Sequence, residues 1–164
     1  MVTGSVASSY HGEPRATRDL DVVIDPTPGA LAAFLESLPR DTYYLDADAA
    51  IAALRERTQF NVIDSATGWK VDLIIRKDRP FSAEEFGRRL PAKMLSTDTF
   101  VATPEDVIIA KLEWANASGS DRQLRDVESI LAAAGEQLDR TYLDRWISQL
   151  GLTDAWASVL ADRL

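Results

Sequence analysis

The segment that most constrains the fold is RDLDVVID, residues 18–25, in which Leu20, Val22 and Ile24 alternate with Asp19, Asp21 and Val23. Leu20, Val22 and Ile24 occupy every second position, which is the period of a strand with one buried face. Asp19 and Asp21 must then leave the opposite face together, with Cα atoms about 6.6 to 7 Å apart. Their two carboxylates can therefore converge on a common point.

Further patterns in the first hundred residues indicate a mixture of strands and helices. The helical patterns are SVASSYHG, PGALAAFLESLP, DADAAIAALRER and SAEEFGRRL, and the strand patterns are QFNVID and GWKVDLIIR. Asp46 or Asp48 can cap the third helix, and Ser82 with Glu85 forms a capping box for the fourth. Gly68 suits the position of a hairpin loop that needs a positive φ. These patterns predict an α+β fold with a small mixed sheet flanked by helices.

From Thr103 to the end the chain is predicted to be helical. Thr103 can cap a helix whose first turn contains Pro104 and two acids. Three more helical patterns follow, and Val127, Ile130 and Leu131 show the spacing of an apolar face. We therefore predict a core over residues 1–100 and a helical C-terminal subdomain over residues 101–164.

Composition limits the chemistry that a chain of 164 residues can perform. It contains no cysteine, and His11 is its only histidine, so any metal would have carboxylate ligands. Neither a membrane span of about 18 to 20 apolar residues nor a signal peptide is evident, so we expect a cytoplasmic protein with no membrane partner.

The net charge of −8 argues against a protein that coats nucleic acid. The segment from residue 70 to residue 93 is nevertheless locally basic, with Lys70, Arg76, Lys77, Arg79, Arg88, Arg89 and Lys93 against four acids. Ordinary charge patterning favours a solvated surface of mixed charge there. The alternative is a landing surface for a polyanion.

A third carboxylate lies in the apolar strand pattern KVDLIIR. Asp72 would be costly to bury there without an arginine, a hydrogen-bond network or a cation as partner. Three carboxylates on adjacent strands suit Mg²⁺, which prefers oxygen ligands and keeps places for water and substrate phosphate. We predict that Asp19, Asp21 and Asp72 are metal ligands.

The pair Gly4-Ser5 predicts a phosphate site beside these acids. A glycine at a strand end lets a bound group approach the backbone, and a helix that starts at Ser5 directs free N–H groups and its positive dipole end outward. A phosphate cradle and a carboxylate cluster in one fold suggest a nucleoside triphosphate held from both sides.

Together, GSVASSYHGEPRATRDLDVVID and WKVDLII resemble the nucleotidyltransferase superfamily typified by DNA polymerase β. The signature of that superfamily is Gly-Ser, a short helix, Asp-x-Asp on a strand and a third acid on a later strand. The helical remainder resembles more loosely the abortive-infection toxin nucleotidyltransferases, in which Lys-x-Asp marks the third acid, as Lys70 and Asp72 do here. In that resemblance Lys111 and Asp126 match the lysine and aspartate of the later helices.

The resemblance implies transfer of a nucleoside monophosphate from a triphosphate to an acceptor hydroxyl, with two Mg²⁺ ions. Its implied catalytic residues are Asp19, Asp21, Asp72, Lys111 and Asp126, and its phosphate-binding candidates are Gly4, Ser5, Arg18 and Lys70. The acceptor would be RNA or protein, and the chain could be the toxin of a pair with an antitoxin as its partner. Trp114 is a candidate for stacking on a base, although tryptophans at such positions more often belong to a core.

Two other functions stay open. One is an inactive module of the same fold that binds a partner, although such a copy would usually have lost one of the three acids. The other is transfer to a small molecule such as an aminoglycoside, which would need an acidic acceptor pocket.

The chain departs from the family pattern at two places. Thirteen residues separate Ser5 from Asp19, and the extra length falls in the loop HGEPRATR. Only Met1–Thr3 precede Gly4, where the family has a helix and a longer strand. We expect either a native start upstream or a pared-down protein.

Overall fold

A computed structural model describes residues 1–161 and shows one mixed sheet flanked by helices. The strands are β1 (Val2–Thr3), β2 (Asp19–Ile24), β3 (Tyr43–Leu45), β4 (Gln59–Asp64), β5 (Lys70–Ile75), β6 (Leu90–Met94) and β7 (Thr97–Val101). The helices are α1 (Gly4–His11), α2 (Pro28–Ser37), α3 (Ala47–Glu56), α4 (Pro80–Arg88), α5 (Pro104–Ser118), α6 (Asp121–Ala134), α7 (Arg140–Gln149) and α8 (Thr153–Ala161), with a 3-10 turn at Gly135–Gln137. The predicted α+β class is confirmed. The last residues of the final predicted helix lie outside the described range.

The seven strands are ordered β3-β4-β5-β2-β1-β7-β6. Strand β2 lies between β1, to which it is antiparallel, and β5, to which it is parallel. Within the parallel pair Asp21 is opposite Asp72, and Asp19 is opposite Lys70. The connection between β2 and β5 is long enough for two helices and two strands, as a parallel crossover requires.

Several local predictions are confirmed in detail. The side chain of Asp46 accepts a hydrogen bond from the backbone of Ala49 at 3.0 Å and caps α3. Thr103 accepts from the backbone N–H of Asp106 at 3.2 Å, with Pro104 in the first turn of α5. Gly68 has a φ of 71° in the loop between β4 and β5.

The predicted capping box of the fourth helix is wrong. Helix α4 begins at Pro80, two residues earlier than predicted, because proline is well suited to the first turn. Ser82 is therefore buried inside that first turn, where its hydroxyl accepts from Arg79 Nε at 3.0 Å. Glu85 is buried as well, with 7% of its surface exposed.

The sheet is covered on both faces, which corrects the expectation that only the Leu20 face of β2 is buried. Leu31, Leu35 and Phe60 belong to a cluster that covers one face with α2 and α3. A larger cluster on the other face contains Val23 together with residues of α1, α4 and α5–α8. The most buried residue of β2 is Val23, which lies on the same face as Asp19 and Asp21.

The helices of the described part of the chain are too short or too polar to cross a membrane.

Candidate functional site

A cavity of about 450 Å³ opens where β1, β2 and β5 face helices α1, α5 and α6. Seven of the predicted site residues line it: Gly4, Ser5, Asp19, Asp21, Lys70, Asp72 and Lys111. They come from positions 4 to 111 of the chain, and the sheet and α5 bring them together. The size is that of a site for a small ligand.

The acidic wall of the cavity follows from the parallel pairing of β2 and β5. Side chains that are opposite each other in such a pair leave the same face, so Asp21 and Asp72 are neighbours on that wall. Asp19 lies one repeat earlier on β2 and is more exposed. Asp72 is buried, with 7% of its surface exposed.

At the end of β1, the backbone of Gly4 lies very close to the Asp21 carboxylate in the lining of the cavity. Gly4 has a φ of 60°, and a Cβ placed there would lie 2.0 Å from Asp21 Oδ2. Position 4 must have a positive φ and no side chain. Only glycine satisfies both requirements, because it lacks the Cβ and adopts a positive φ readily. Helix α1 thus begins directly against a carboxylate of the acidic wall.

Electrostatic conditions at Asp21 favour arrival of a cation. Burial raises the pKa of Asp21 above its ordinary value, and the nearby Asp72 carboxylate raises it further. A hydrogen bond from the Ser5 backbone amide opposes this shift. A cation bound here would stabilise the ionised form.

Lys70 supplies a positive charge within the acidic wall. Its Nζ lies 2.8 Å from Asp72 Oδ2 and 3.7 Å from Asp19 Oδ1. The hydrogen bond to Asp72 raises the pKa of the Lys70 ammonium. Lys70 therefore neutralises part of the acidic charge between β2 and β5.

A chain of hydrogen bonds connects α5, α6 and α1 behind the cavity. Lys111 Nζ donates to Asp126 Oδ2 at 2.6 Å, and both side chains are buried. Arg15 donates through Nε and Nη2 to the two oxygens of Asp126, each at 3.0 Å. The same Nη2 donates to Ser5 Oγ at 2.5 Å. The predicted phosphate-binding serine is thus connected to the predicted aspartate of α6.

Burial and ion pairing shift the pKa values of Lys111 and Asp126 in opposite directions. Burial lowers the pKa of Lys111, although the Asp126 carboxylate opposes that shift. Burial also opposes ionisation of Asp126, but hydrogen bonds from Arg15 and Lys111 outweigh it and hold the pKa of Asp126 below its ordinary value. The pair is held in its charged form, with the Lys111 ammonium at the cavity wall.

The other predicted residues are placed as follows. Asp126 lies behind the cavity and reaches it through Lys111. Arg18 is exposed, and its side chain is outside the lining of the cavity. Trp114 lines the cavity with 59% of its surface exposed, whereas Trp146 and Trp156 are buried in the core.

The sequence interpretation missed Arg15, which makes three of the hydrogen bonds described above. The signal for it was the extra length of the HGEPRATR loop, which contains two arginines, Arg15 and Arg18, between Ser5 and Asp19. It also missed Gln59, Arg122 and Gln123 of the lining, which belong to no recognisable sequence motif.

Four of the seven basic residues in the segment 70–93, Lys70, Arg76, Arg79 and Arg88, form ion pairs. Arg76 pairs with Asp25 at 2.8 Å, and Arg79 pairs with Glu113 at 2.6 Å. Arg88 lies 3.3 Å from Glu105. These pairs favour the mixed-charge interpretation over a landing surface for a polyanion.

The donor chemistry of the acidic wall fits Mg²⁺, since three carboxylates line one cavity beside the start of a helix. Within residues 1–161, however, no group of three or more histidine, aspartate or glutamate side chains is gathered closely enough to hold a metal ion. The Lys70 ammonium lies between Asp72 and Asp19 instead. The wall therefore offers suitable ligands, but their carboxylates would have to move closer together to surround one ion.

Comparison of the fold with solved structures finds nucleotidyltransferase-like proteins. One is the crystal structure of an antigenic nucleotidyltransferase-like protein from Paracoccidioides brasiliensis, with a TM-score of 0.56 and 17% identity over 98% of this chain and 83% of that chain. Another is the solution structure of the antibiotic-resistance factor ANT(2'')-Ia, with a TM-score of 0.56 and 10% identity over 96% of this chain and 86% of that chain. Protein-family models and curated proteins give no significant match. The chain therefore has a nucleotidyltransferase-like fold.

Proposed function

We propose that the protein is a Mg²⁺-dependent nucleotidyltransferase that moves a nucleoside monophosphate from a triphosphate to an acceptor hydroxyl. The observation that carries this proposal is the single cavity that contains Gly4, Ser5, Asp19, Asp21 and Asp72. Nucleotidyl transfer needs a group that binds the phosphates on one side of the triphosphate and oxygen ligands that hold a hard cation on the other. The nucleotidyltransferase-like fold supports the same conclusion.

In this reaction the acceptor oxygen forms a bond to the α-phosphorus of the triphosphate. The bond from that phosphorus to the bridging oxygen of the β-phosphate breaks, and pyrophosphate leaves. Asp72 accepts the proton of the acceptor hydroxyl. Asp19, Asp21 and Asp72 would hold two Mg²⁺ ions, which supply charge stabilisation for the attacking and leaving oxygens.

The remaining residues of the cavity bind and orient the triphosphate. The Ser5 hydroxyl and the backbone amides at the start of α1 receive the β- and γ-phosphates. Lys111 neutralises a triphosphate oxygen, while Asp126 acts as a positioning residue that holds the Lys111 ammonium in place. Lys70 is a further phosphate contact at the edge of the site, whereas the predicted contact from Arg18 has no support because its side chain lies outside the lining.

The acceptor that the family resemblance favours is RNA or protein, in a cytoplasmic toxin paired with an antitoxin. Retention of all three acids in one cavity favours an enzyme over an inactive binding module. A small-molecule acceptor is the second candidate, because the antibiotic-resistance factor ANT(2'')-Ia has the same fold.

The test is a labelling assay with each of the four nucleoside triphosphates, Mg²⁺, and total RNA, total protein or a set of hydroxyl compounds. The wild-type protein should release pyrophosphate and give a labelled acceptor. Asp19→Ala and Asp21→Ala should lose about 100-fold or more in rate, as expected when ligands of a catalytic metal are removed. Asp48→Ala, an exposed acid in the first turn of α3, is the matched control. Equal labelling by the wild type and both site variants would exclude the proposed reaction.

A further inference from the structure

Arg15 belongs to the loop between α1 and β2, which is fastened to both α1 and α6. The backbone N–H of Arg15 donates to Ser9 Oγ of α1 at 3.2 Å. Two residues earlier, the backbone N–H of Glu13 donates to Ser129 Oγ of α6 at 2.6 Å. Gly12 lies against the same serine, since a Cβ on residue 12 would be 2.5 Å from Ser129 Oγ. These contacts hold the loop, and Arg15 with it, between the two helices.

The Arg15 guanidinium connects two side chains that line the cavity of the acidic wall. Its Nη2 donates to Ser5 Oγ at 2.5 Å, and its Nε and Nη2 donate to the two oxygens of Asp126. Asp126 in turn accepts from Lys111 Nζ at 2.6 Å. Ser5 and Lys111 belong to the lining of the cavity, whereas Arg15 lies behind it. An effect of Arg15 on a bound triphosphate would therefore pass through these neighbours.

The hydrogen bond from Arg15 determines what the Ser5 hydroxyl can offer to a ligand. A guanidinium group has only donors, so Ser5 Oγ is the acceptor in this bond. Within residues 1–161 the hydroxyl hydrogen of Ser5 is donated to no protein acceptor, and Ser5 faces the cavity. Phosphate oxygens are strong acceptors. The contact with Arg15 thus leaves the Ser5 hydroxyl as a donor for a phosphate in the cavity.

Arg15 also changes the charge balance around Lys111. Asp126 pairs with the Lys111 ammonium, and Arg15 places a second cation on the same carboxylate. Two cations share one anion, so the group keeps a net positive charge beside the cavity. Asp21 also acts on Lys111, but in the proposed reaction that carboxylate holds Mg²⁺. Without the charge of Arg15, the Asp126 carboxylate would neutralise Lys111 completely.

On the basis of the proposed nucleotidyl transfer, we propose that Arg15 is a positioning residue for the phosphate end of the triphosphate. It directs the hydroxyl hydrogen of Ser5 into the cavity and leaves the charge of Lys111 available to a phosphate oxygen. Lysine is a poor substitute at this position, because Nε and Nη2 of one planar fork make the three hydrogen bonds. One side chain behind the cavity therefore prepares both groups that receive the triphosphate.

The experiment is calorimetry of inorganic tripolyphosphate at constant free Mg²⁺, a probe with the phosphate chain of a nucleotide but neither sugar nor base. The wild-type protein should bind it. Arg15→Gln should bind it at least about tenfold more weakly, the effect expected when a hydrogen bond to a charged group is lost. Arg40→Gln, an exposed arginine after α2, should bind as the wild type does. No binding by the wild type, or equal binding by Arg15→Gln, would overturn the proposal.

A double-mutant cycle separates positioning from a general effect on the fold. Ser5→Ala should weaken tripolyphosphate binding several-fold in the wild type but change it less than about twofold in the Arg15→Gln background. Losses that add in the double variant, or no loss from Ser5→Ala alone, would overturn the proposal. Arg15→Lys keeps the charge but loses the fork, so it should bind more tightly than Arg15→Gln and still be insensitive to Ser5→Ala. That comparison decides the matter even if Arg15→Gln folds poorly.

Binding of Mg²⁺ alone reports on the acidic wall, which Arg15 does not touch. Arg15→Lys should bind Mg²⁺ no more weakly than the wild type, because Arg15 lies outside the lining of the cavity. Its loss of affinity should be confined to tripolyphosphate. An equal loss of affinity for Mg²⁺ and for tripolyphosphate in Arg15→Lys would indicate a structural role and overturn the proposal.

The labelling assay separates failure of this proposal from failure of the proposed reaction. Tripolyphosphate binding that depends on Arg15 and Ser5, without transfer to any acceptor, would leave the phosphate site standing and refute the reaction. Transfer by Arg15→Lys with the wild-type KM for the triphosphate would refute the positioning role and leave the reaction standing. If both hold, Arg15→Lys should raise KM more than it lowers kcat, since Ser5 and Lys111 already contact the triphosphate in the ground state.

Discussion

Gly4 lies so close to Asp21 that a Cβ on residue 4 would be 2.0 Å from Asp21 Oδ2. The backbone of Gly4, at the start of α1, therefore occupies the space directly beside the carboxylate of Asp21 on β2. Any side chain at position 4 must displace a predicted metal ligand.

Gly4→Ala should consequently abolish nucleotidyl transfer and lower stability. Alanine at a φ of 60° costs about 1 to 2 kcal/mol, and the clash with Asp21 adds to that. Denaturant unfolding and the labelling assay measure the two effects. Gly29→Ala, at a position in α2 with open space around it, is the control and should be neutral. A Gly4→Ala variant with wild-type activity would show that the observed position of the Asp21 carboxylate is not required for the reaction.

Removal of Asp126 should destabilise the protein strongly. Asp126→Ala leaves the buried Lys111 ammonium and Arg15 without their shared carboxylate, and breaking a buried pair typically costs about 3 to 5 kcal/mol. Urea unfolding measures the loss. Asp144→Ala, an exposed acid on α7, should change the free energy of unfolding by less than about 0.5 kcal/mol. A loss no larger for Asp126→Ala than for this control would mean that the pair contributes nothing.

Lys70→Met should strengthen Mg²⁺ binding in the absence of nucleotide. The Lys70 ammonium lies close to the carboxylates of Asp72 and Asp19, so a metal ion has to compete with it. We expect a several-fold lower Kd by calorimetry, whereas Lys93→Met on the edge strand β6 should leave the Kd unchanged. Weaker binding by Lys70→Met would indicate that Lys70 supports the metal site and does not compete for it.

Glu85 should make stability fall as the pH rises. Its pKa is about 8 in the folded protein, raised first by burial, against an ordinary value of 4.5, so the folded state binds the proton more tightly than the unfolded state. The stabilising effect of that proton is complete below pH 4.5 and is lost as the pH rises through about 8. Glu85→Gln removes this dependence, so its Tm should exceed that of the wild type by several degrees at pH 8.

At pH 4 the two proteins should have similar Tm values, because the wild-type carboxyl is then neutral as well. Glu36→Gln should follow the wild type across the whole range. A wild-type Tm that does not change relative to Glu85→Gln between pH 4 and pH 8 would contradict the assignment.

The sequence was informative wherever the relevant signal was local. The two-residue period of a β-strand predicted that Asp19 and Asp21 lie on one face of β2. The Gly4-Ser5 pair indicated the point where a strand ends and a helix begins. Asp72 could be placed because a carboxylate in an apolar strand needs a partner. These patterns were sufficient to predict the α+β class and a set of residues that the structure brings to one cavity.

What the sequence did not reveal depends on contacts between distant residues or on unusual turns. Arg15 and Asp126 form a hydrogen bond although 111 positions separate them in the sequence, and no local pattern predicts that contact. The hairpin of β6 and β7 turns at Leu95 and Ser96, both with a positive φ, where a turn would ordinarily contain glycine or asparagine. The hairpin was missed for that reason.

The hydrogen bonds that connect Ser5, Arg15, Asp126 and Lys111 also bear on synthesis of the protein. Ser5 at the start of α1 is synthesised some 120 residues before Asp126, its partner on α6. A nascent chain has no complete site until α6 has packed against α1.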